Sequence, residues 1–111
     1  TSGCTAQACS LRDGCSDLRA AGYEIIGVSR DSAKSHANFR TKYDLPFRLI
    51  ADTDVQLNEL FGTWIEESMY GRKYMGTERT TFVINAQHEV ERIIRGKEVS
   101  TKDHAAQILG A

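Results

Sequence analysis

Residues 24–29 (Glu-Ile-Ile-Gly-Val-Ser) and 47–51 are short, nearly continuous apolar runs, and between them lies a segment with helical periodicity. That alternation restricts the fold more than any other feature. Runs of this kind read as strands buried in a sheet that is covered on both faces, and two strands joined through a helix imply a crossover. In the intervening segment Asp31 or Ser32 can cap a helix whose His36, Phe39 and Tyr43 share one face, until Leu45-Pro46 ends it. His36 reads there as a structural residue.

The rest of the chain extends this pattern. Asp54 opens a short helix with Leu57, Leu60 and Phe61 inward and Gly62 as its stop. Residues 63–78 hold Trp64, Tyr70, Tyr74 and Met75 among glycines and charges, and predict an ordered but irregular loop of the kind that is often functional. Residues 80–84 and 90–95 predict two strands joined by a hairpin at 85–88. Ser100 with Asp103 predicts a capping box before a last helix carrying Ala105, Ile108 and Leu109. The summed order predicts an α/β fold, with a thioredoxin-like layered sheet as the natural candidate. At 111 residues, with 41% hydrophobic and 26% charged content, the expectation is a single domain over residues 1–111.

Composition narrows the function by exclusion. The net charge is −1 and no basic run or interleaved aromatic stripe is present, so nucleic acid is not an expected partner. The longest apolar stretches are far too short to span a bilayer, which predicts a soluble, cytoplasmic protein with no membrane partner. Three cysteines form an odd set without a Cys-x-x-Cys pair, which argues against a disulfide scaffold or structural metal and for a reducing compartment. No GxGxxG, P-loop or clustered His/Asp set implies a nucleotide, flavin or metal cofactor, so none is expected. The chain begins at Thr1 without methionine, inside what reads as an active-site loop, and is expected to be N-terminally incomplete.

Cys4 and Cys9 carry the chemistry. They stand where a helix begins, and a thiol at a helix N-terminus meets unpaired backbone N–H groups and the positive end of the macrodipole, both of which favour thiolate. Cys4, Ala8, Leu11, Cys15 and Leu18 recur at helical spacing as one inward stripe of a helix that Gly22 stops. Cys15 reads as a small buried hydrophobe. On a regular helix the Cα atoms of Cys4 and Cys9 lie roughly 8–9 Å apart, beyond the ~7 Å reach of a disulfide. A bridge between them therefore requires the first turns to unwind.

Thr1-x-x-Cys4, Ala8-Cys9, Gly27-Val28-Ser29, Ser35-His36, Tyr43-x-Leu45-Pro46-Phe47, Met69-Tyr70-Gly71-x-x-Tyr74-Met75-Gly76 and Glu78-Arg79-Thr80-Thr81-Phe82 together resemble the peroxiredoxins, specifically the bacterioferritin comigratory protein or peroxiredoxin Q group. The resemblance covers nearly the whole chain. It implies a thioredoxin-like fold, a central mixed sheet flanked by helices, whose N-terminal strands are absent from this chain. It also implies a thiol peroxidase acting on hydrogen peroxide and organic hydroperoxides, with Cys4 as peroxidatic nucleophile and Cys9 as resolving thiol. Thr1 and Arg79 would hydrogen-bond and electrostatically steady the thiolate and the peroxide. Thioredoxin or a similar dithiol would restore the reduced form, and a monomer is expected. Two other readings stay open on the residues: a redox switch oxidised once without turnover, and an inactive fragment.

Overall fold

The structure is a computed structural model that describes residues 2–110, in backbone only at Ser2. The elements run α1 (Ser2–Asp13), α2 (Cys15–Ala20), β1 (Ile26–Ser29), α3 (Ala33–Tyr43), β2 (Arg48–Ala51), α4 (Gln56–Leu60), β3 (Trp64–Met69), β4 (Arg72–Thr77), β5 (Thr80–Ile84), β6 (Val90–Arg95), a 3-10 turn (Gly96–Glu98) and α5 (His104–Leu109). They gather into two compact units, Thr1–Asp54 with Ser100–Ala111, and Val55–Val99.

In the first unit β1 and β2 pair in parallel, Ile26 against Arg48 through Ser29 against Ala51, with α3 as the crossover. Ser32 rather than Asp31 caps α3, its hydroxyl accepting from Ser35 N at 3.1 Å. The helix ends with Asp44 in the left-handed region, while Leu45 N bonds Arg40 O and Asp44 N bonds Thr41 O. Both bonds belong to a Schellman-type stop, here made without glycine. Cys15, Leu18, Leu45, Phe47 and Ala105 form the buried apolar centre.

Two expectations change in this unit. The strands are not covered on both faces: Ile26, Val28 and Ile50 are 56%, 45% and 41% exposed, and burial alternates along each strand. An apolar run measures fitness for a sheet, but only the neighbouring layers decide how many of its faces are covered. The N-terminal helix is also two helices. Gly14 separates α1 from α2, and a Cβ placed there would stand 2.3 Å from Ala105 Cβ, so α5 comes as close as only glycine permits. The stop at Gly22 stands, with Tyr23 N bonding Leu18 O and Gly22 at φ +92°.

The start of α5 also departs from expectation. Asp103 N reaches Ser100 Oγ at 3.4 Å, but the Asp103 side chain makes no cap. Gln107 replaces it by accepting from Ser100 N at 2.8 Å, and its Oε1 also lies 2.9 Å from His104 Nδ1. A longer side chain one turn further on reaches back where the short carboxylate does not. His104 is fully buried.

The second unit is built from two antiparallel hairpins and α4. Residues 63–78 are not an irregular loop. They form the β3–β4 hairpin, turning on Tyr70 and Gly71, both at positive φ (53° and 77°), which makes a type I′ turn. Its cross-strand pairs include Glu66 with Met75 and Glu67 with Tyr74, so polar and apolar residues mix on each face and no clean alternation marks the strands. The β5–β6 hairpin has the expected bounds. Asn85 orders its turn by accepting from Gln87 N and Glu89 N through Oδ1, and His88 takes the left-handed position.

Helix α4 stops at Gly62, but its inward residues differ from expectation. Leu60 is 76% exposed and Asn58 is buried, its Oδ1 accepting from Thr63 Oγ1 at 3.0 Å. Phe61 is itself partly exposed, its ring tilted against that of Phe82 with centroids 4.9 Å apart. A polar residue wins the inner position because it satisfies the hydroxyl and backbone of the turn beside it.

Candidate active site

Cys4 lies in the first turn of α1, and Cys9 lies further along the same helix. All three cysteines are thiols; Cys4 is exposed, Cys9 half-buried and Cys15 buried. Cys15 packs as expected, whereas Cys4 does not share its inward position. The stripe does not carry through the Gly14 break, and an exposed sulfur is the one a substrate can reach. Among the described residues no acidic side chain occupies the first turn of α1, so no carboxylate there opposes a thiolate at the positive end of the helix. Because Cys4 and Cys9 stand on one continuous helix, regular geometry keeps their Cα atoms roughly 8–9 Å apart.

Thr1 lies outside the described residues. Arg79 lies in the second unit, half-buried in the link between β4 and β5. Its backbone is well fixed: its carbonyl accepts from Gly96 N at 2.6 Å, and Thr80 Oγ1 donates to Glu78 O at 3.0 Å. Glu78 itself is engaged by Arg95 Nη1 at 3.5 Å.

Sequence reasoning missed the polar framework of the first unit. Arg12 Nη1 donates to Tyr43 O and Arg19 Nη2 to Pro46 O, each at 2.9 Å, so two arginines seven residues apart grip the turn between α3 and β2. The Arg12 guanidinium is held above its already high range chiefly by its hydrogen bond to Asp13, with the charges of Asp13, Cys9 and Asp44 adding and burial opposing. His36 is buried with Nε2 at 2.6 Å from Ser29 Oγ, and that oxygen lies 2.9 Å from Asp31 Oδ2. The hydroxyl has one proton, which it donates to Asp31, so it accepts from His36 Nε2–H. His36 Nδ1 is buried without a hydrogen-bond partner among the described residues. The two arginine bonds span 31 and 27 residues and leave no local pattern.

A shallow cleft of about 470 Å³ opens beside Ser10, Asp13, Asp17 and Lys102. Neither Cys4 nor Cys9 lines it. Among the described residues no group of three or more His, Cys, Asp or Glu side chains could hold a metal ion, and no helix is long and apolar enough to cross a membrane.

Comparison with known proteins identifies the family and the fold. Residues 1–93 match the AhpC/TSA family. The putative peroxiredoxin bcp of Coxiella burnetii is 39% identical over 110 residues, which is 99% of this chain and 72% of that protein. Peroxiredoxin Bcp of Bacillus subtilis is 39% identical over 109 residues, covering 98% of this chain and 68% of its own length. Among solved structures, the bacterioferritin comigratory protein of Xanthomonas campestris, described for its alkyl peroxide reduction activity, superposes with a TM-score of 0.90 at 35% identity, over 99% of this chain and 69% of that one. A mutant of Xanthomonas campestris peroxiredoxin Q also gives 0.90, at 36% identity over 99% and 69%. The fold is therefore the thioredoxin-like one, and the chain belongs to the AhpC/TSA family, among the peroxiredoxins of the Bcp and peroxiredoxin Q group.

Proposed function

We propose that this peroxiredoxin reduces hydrogen peroxide and organic hydroperoxides through Cys4 as peroxidatic thiol and Cys9 as resolving thiol. The observation that carries the assignment is the placing of an exposed Cys4 in the first turn of the helix that also holds Cys9. Cys4 thiolate attacks one peroxide oxygen, the O–O bond breaks, and the other oxygen leaves with a proton as water or alcohol. Cys4 is left as sulfenic acid. Nucleophilicity falls with thiol acidity, so rate must come from placing the peroxide and steadying charge on the departing oxygen. The Arg79 guanidinium, a permanent cation, and the Thr1 hydroxyl have the chemistry for these roles.

Cys9 then displaces the sulfenic oxygen as water and forms an intramolecular disulfide. Because both thiols lie on one helix, the cycle needs no second copy of the chain, which supports a monomeric enzyme. A dithiol such as thioredoxin supplies the two electrons and two protons that restore the thiols.

Intact mass of the parent and of Cys4→Ser, before and after one equivalent of hydrogen peroxide, tests the reading when followed by thioredoxin-coupled peroxide consumption. Loss of two hydrogens in the parent alone, with many turnovers, is the expected result. Oxidation without turnover marks a switch instead, and an unchanged mass overturns the assignment of Cys4.

A further inference from the structure

If Cys4 and Cys9 are bridged during turnover, α1 is the moving part, and the contacts that hold its far end govern the movement. Immediately after Cys9 the helix is tied down. Ser10 Oγ accepts from Ala105 N at 3.4 Å, Arg12 donates to Tyr43 O at 2.9 Å, and Gly14 lies against Ala105. Tyr43 O is a specific acceptor. The Schellman-type end of α3 uses the carbonyls of Arg40 and Thr41, and Tyr43 O lies beyond them at the negative end of the helix. Arg12 satisfies that carbonyl and brings a cation to it, while Asp13 holds the guanidinium from the other side at 2.9 Å. Its side chain is only 34% exposed, so this is not a loose surface contact.

We propose that Arg12 is a positioning residue for the resolving step: by pinning the end of α1 to the end of α3 it sets how readily Cys9 leaves the helix to meet oxidised Cys4. The inference rests on the peroxidase reading above. In the step concerned, Cys9 sulfur attacks the sulfenic sulfur of Cys4, an S–S bond forms and the S–O bond breaks. The hydroxyl leaves with the Cys9 proton as water, and no further oxidant is consumed. Residues 4–9 must leave helical geometry for this to happen. While Arg12 is bound, unwinding ends beside Cys9, and rewinding from the pinned end recaptures it. The Asp44 carboxylate also lies within the electrostatic reach of Arg12, which further favours the docked helix. A sulfenic acid kept waiting can meet a second peroxide and become sulfinic acid, so the same contact sets the peroxide tolerance of the enzyme.

Rapid-quench mass spectrometry after one equivalent of hydrogen peroxide, on the parent, Arg12→Ala and Arg19→Ala, reads the bridging rate directly. Arg12→Ala is expected to form the disulfide about three- to tenfold faster, the scale of losing one net hydrogen bond, and to accumulate less sulfinic acid in excess peroxide. Arg19→Ala removes the equivalent bond to Pro46 O, ten residues beyond Cys9, and is expected to stay within about twofold of the parent. Should Arg12→Ala not fold by circular dichroism, Arg12→Gln makes the same comparison. Unchanged or slower bridging without Arg12, or equal acceleration without Arg19, overturns the proposal. If Cys4 never becomes oxidised in the parent, the peroxidase reading itself fails; if Cys9→Ser accumulates sulfenic acid while bridging ignores Arg12, only this inference does.

Discussion

Cys4, Cys9 and Cys15 share one side chain and have three different environments, exposed, half-buried and buried. Their chemistry follows from that difference. Cys9→Ser is expected to keep the first oxidation, seen as a trapped sulfenic acid, and to lose sustained thioredoxin-coupled turnover; steady turnover in that variant would remove Cys9 from the cycle. Arg79→Ala is expected to slow peroxide reaction about 10²-fold, the scale of losing one charge-stabilising donor, with little change in melting temperature. Stopped-flow kinetics beside a thermal melt separates the two effects. The thiols were legible in the sequence because their chemistry is tied to residue type and to a helix start. Arg12 was not, since the carbonyl it serves lies 31 residues away and any surface arginine looks the same in sequence.

Among the elements, the N-terminal helices carry the sharpest consequences. Reduced chain should show more helix by far-UV circular dichroism than the bridged chain, because a Cys4 to Cys9 bond cannot form on intact α1. Equal spectra with the bridge confirmed by mass would contradict this. Gly14→Ala ought to gain about 0.4–1 kcal/mol by restricting the unfolded chain, yet its methyl meets Ala105 Cβ, and overpacking of that kind costs about 1–3 kcal/mol. The net expectation is a lower denaturant midpoint, checked by urea unfolding.

The β3–β4 hairpin makes a different prediction. Tyr74 is held above its ordinary range first by its hydrogen bond to Glu67, its cross-strand partner, with desolvation and the Glu67 charge adding. A raised phenol contributes stability fully below the unfolded value near pH 10 and loses it as pH rises through the folded one. Ultraviolet titration should therefore show Tyr74 ionising late in the parent and earlier in Glu67→Ala. Helix stops were legible at Gly22 and Gly62 because a left-handed cap is a local demand. The hairpin was not, because Tyr70 hides the first positive φ of its turn and its strands mix charges with apolar residues.

At the scale of the whole molecule, a net charge of −1 and an uncharged peroxide substrate leave no long-range steering to be screened. The rate of Cys4 oxidation by hydrogen peroxide is expected to hold within about twofold between low and high salt; a steep salt dependence would point to an ionic substrate instead. What the amino-acid order determined by itself was everything decided within a few residues: the α/β alternation, a cap for α3 at Asp31 or Ser32, the glycine stops, the β5–β6 hairpin and a thiol at a helix start with a second thiol five residues on. Only the tertiary structure decided which strand faces are covered, that α5 comes close enough to demand Gly14, that Asn58 and His104 go inside, and that Arg12 and Arg19 hold the α3–β2 turn. Those outcomes depend on packing and hydrogen bonds between residues distant in the chain, where local propensity carries no information.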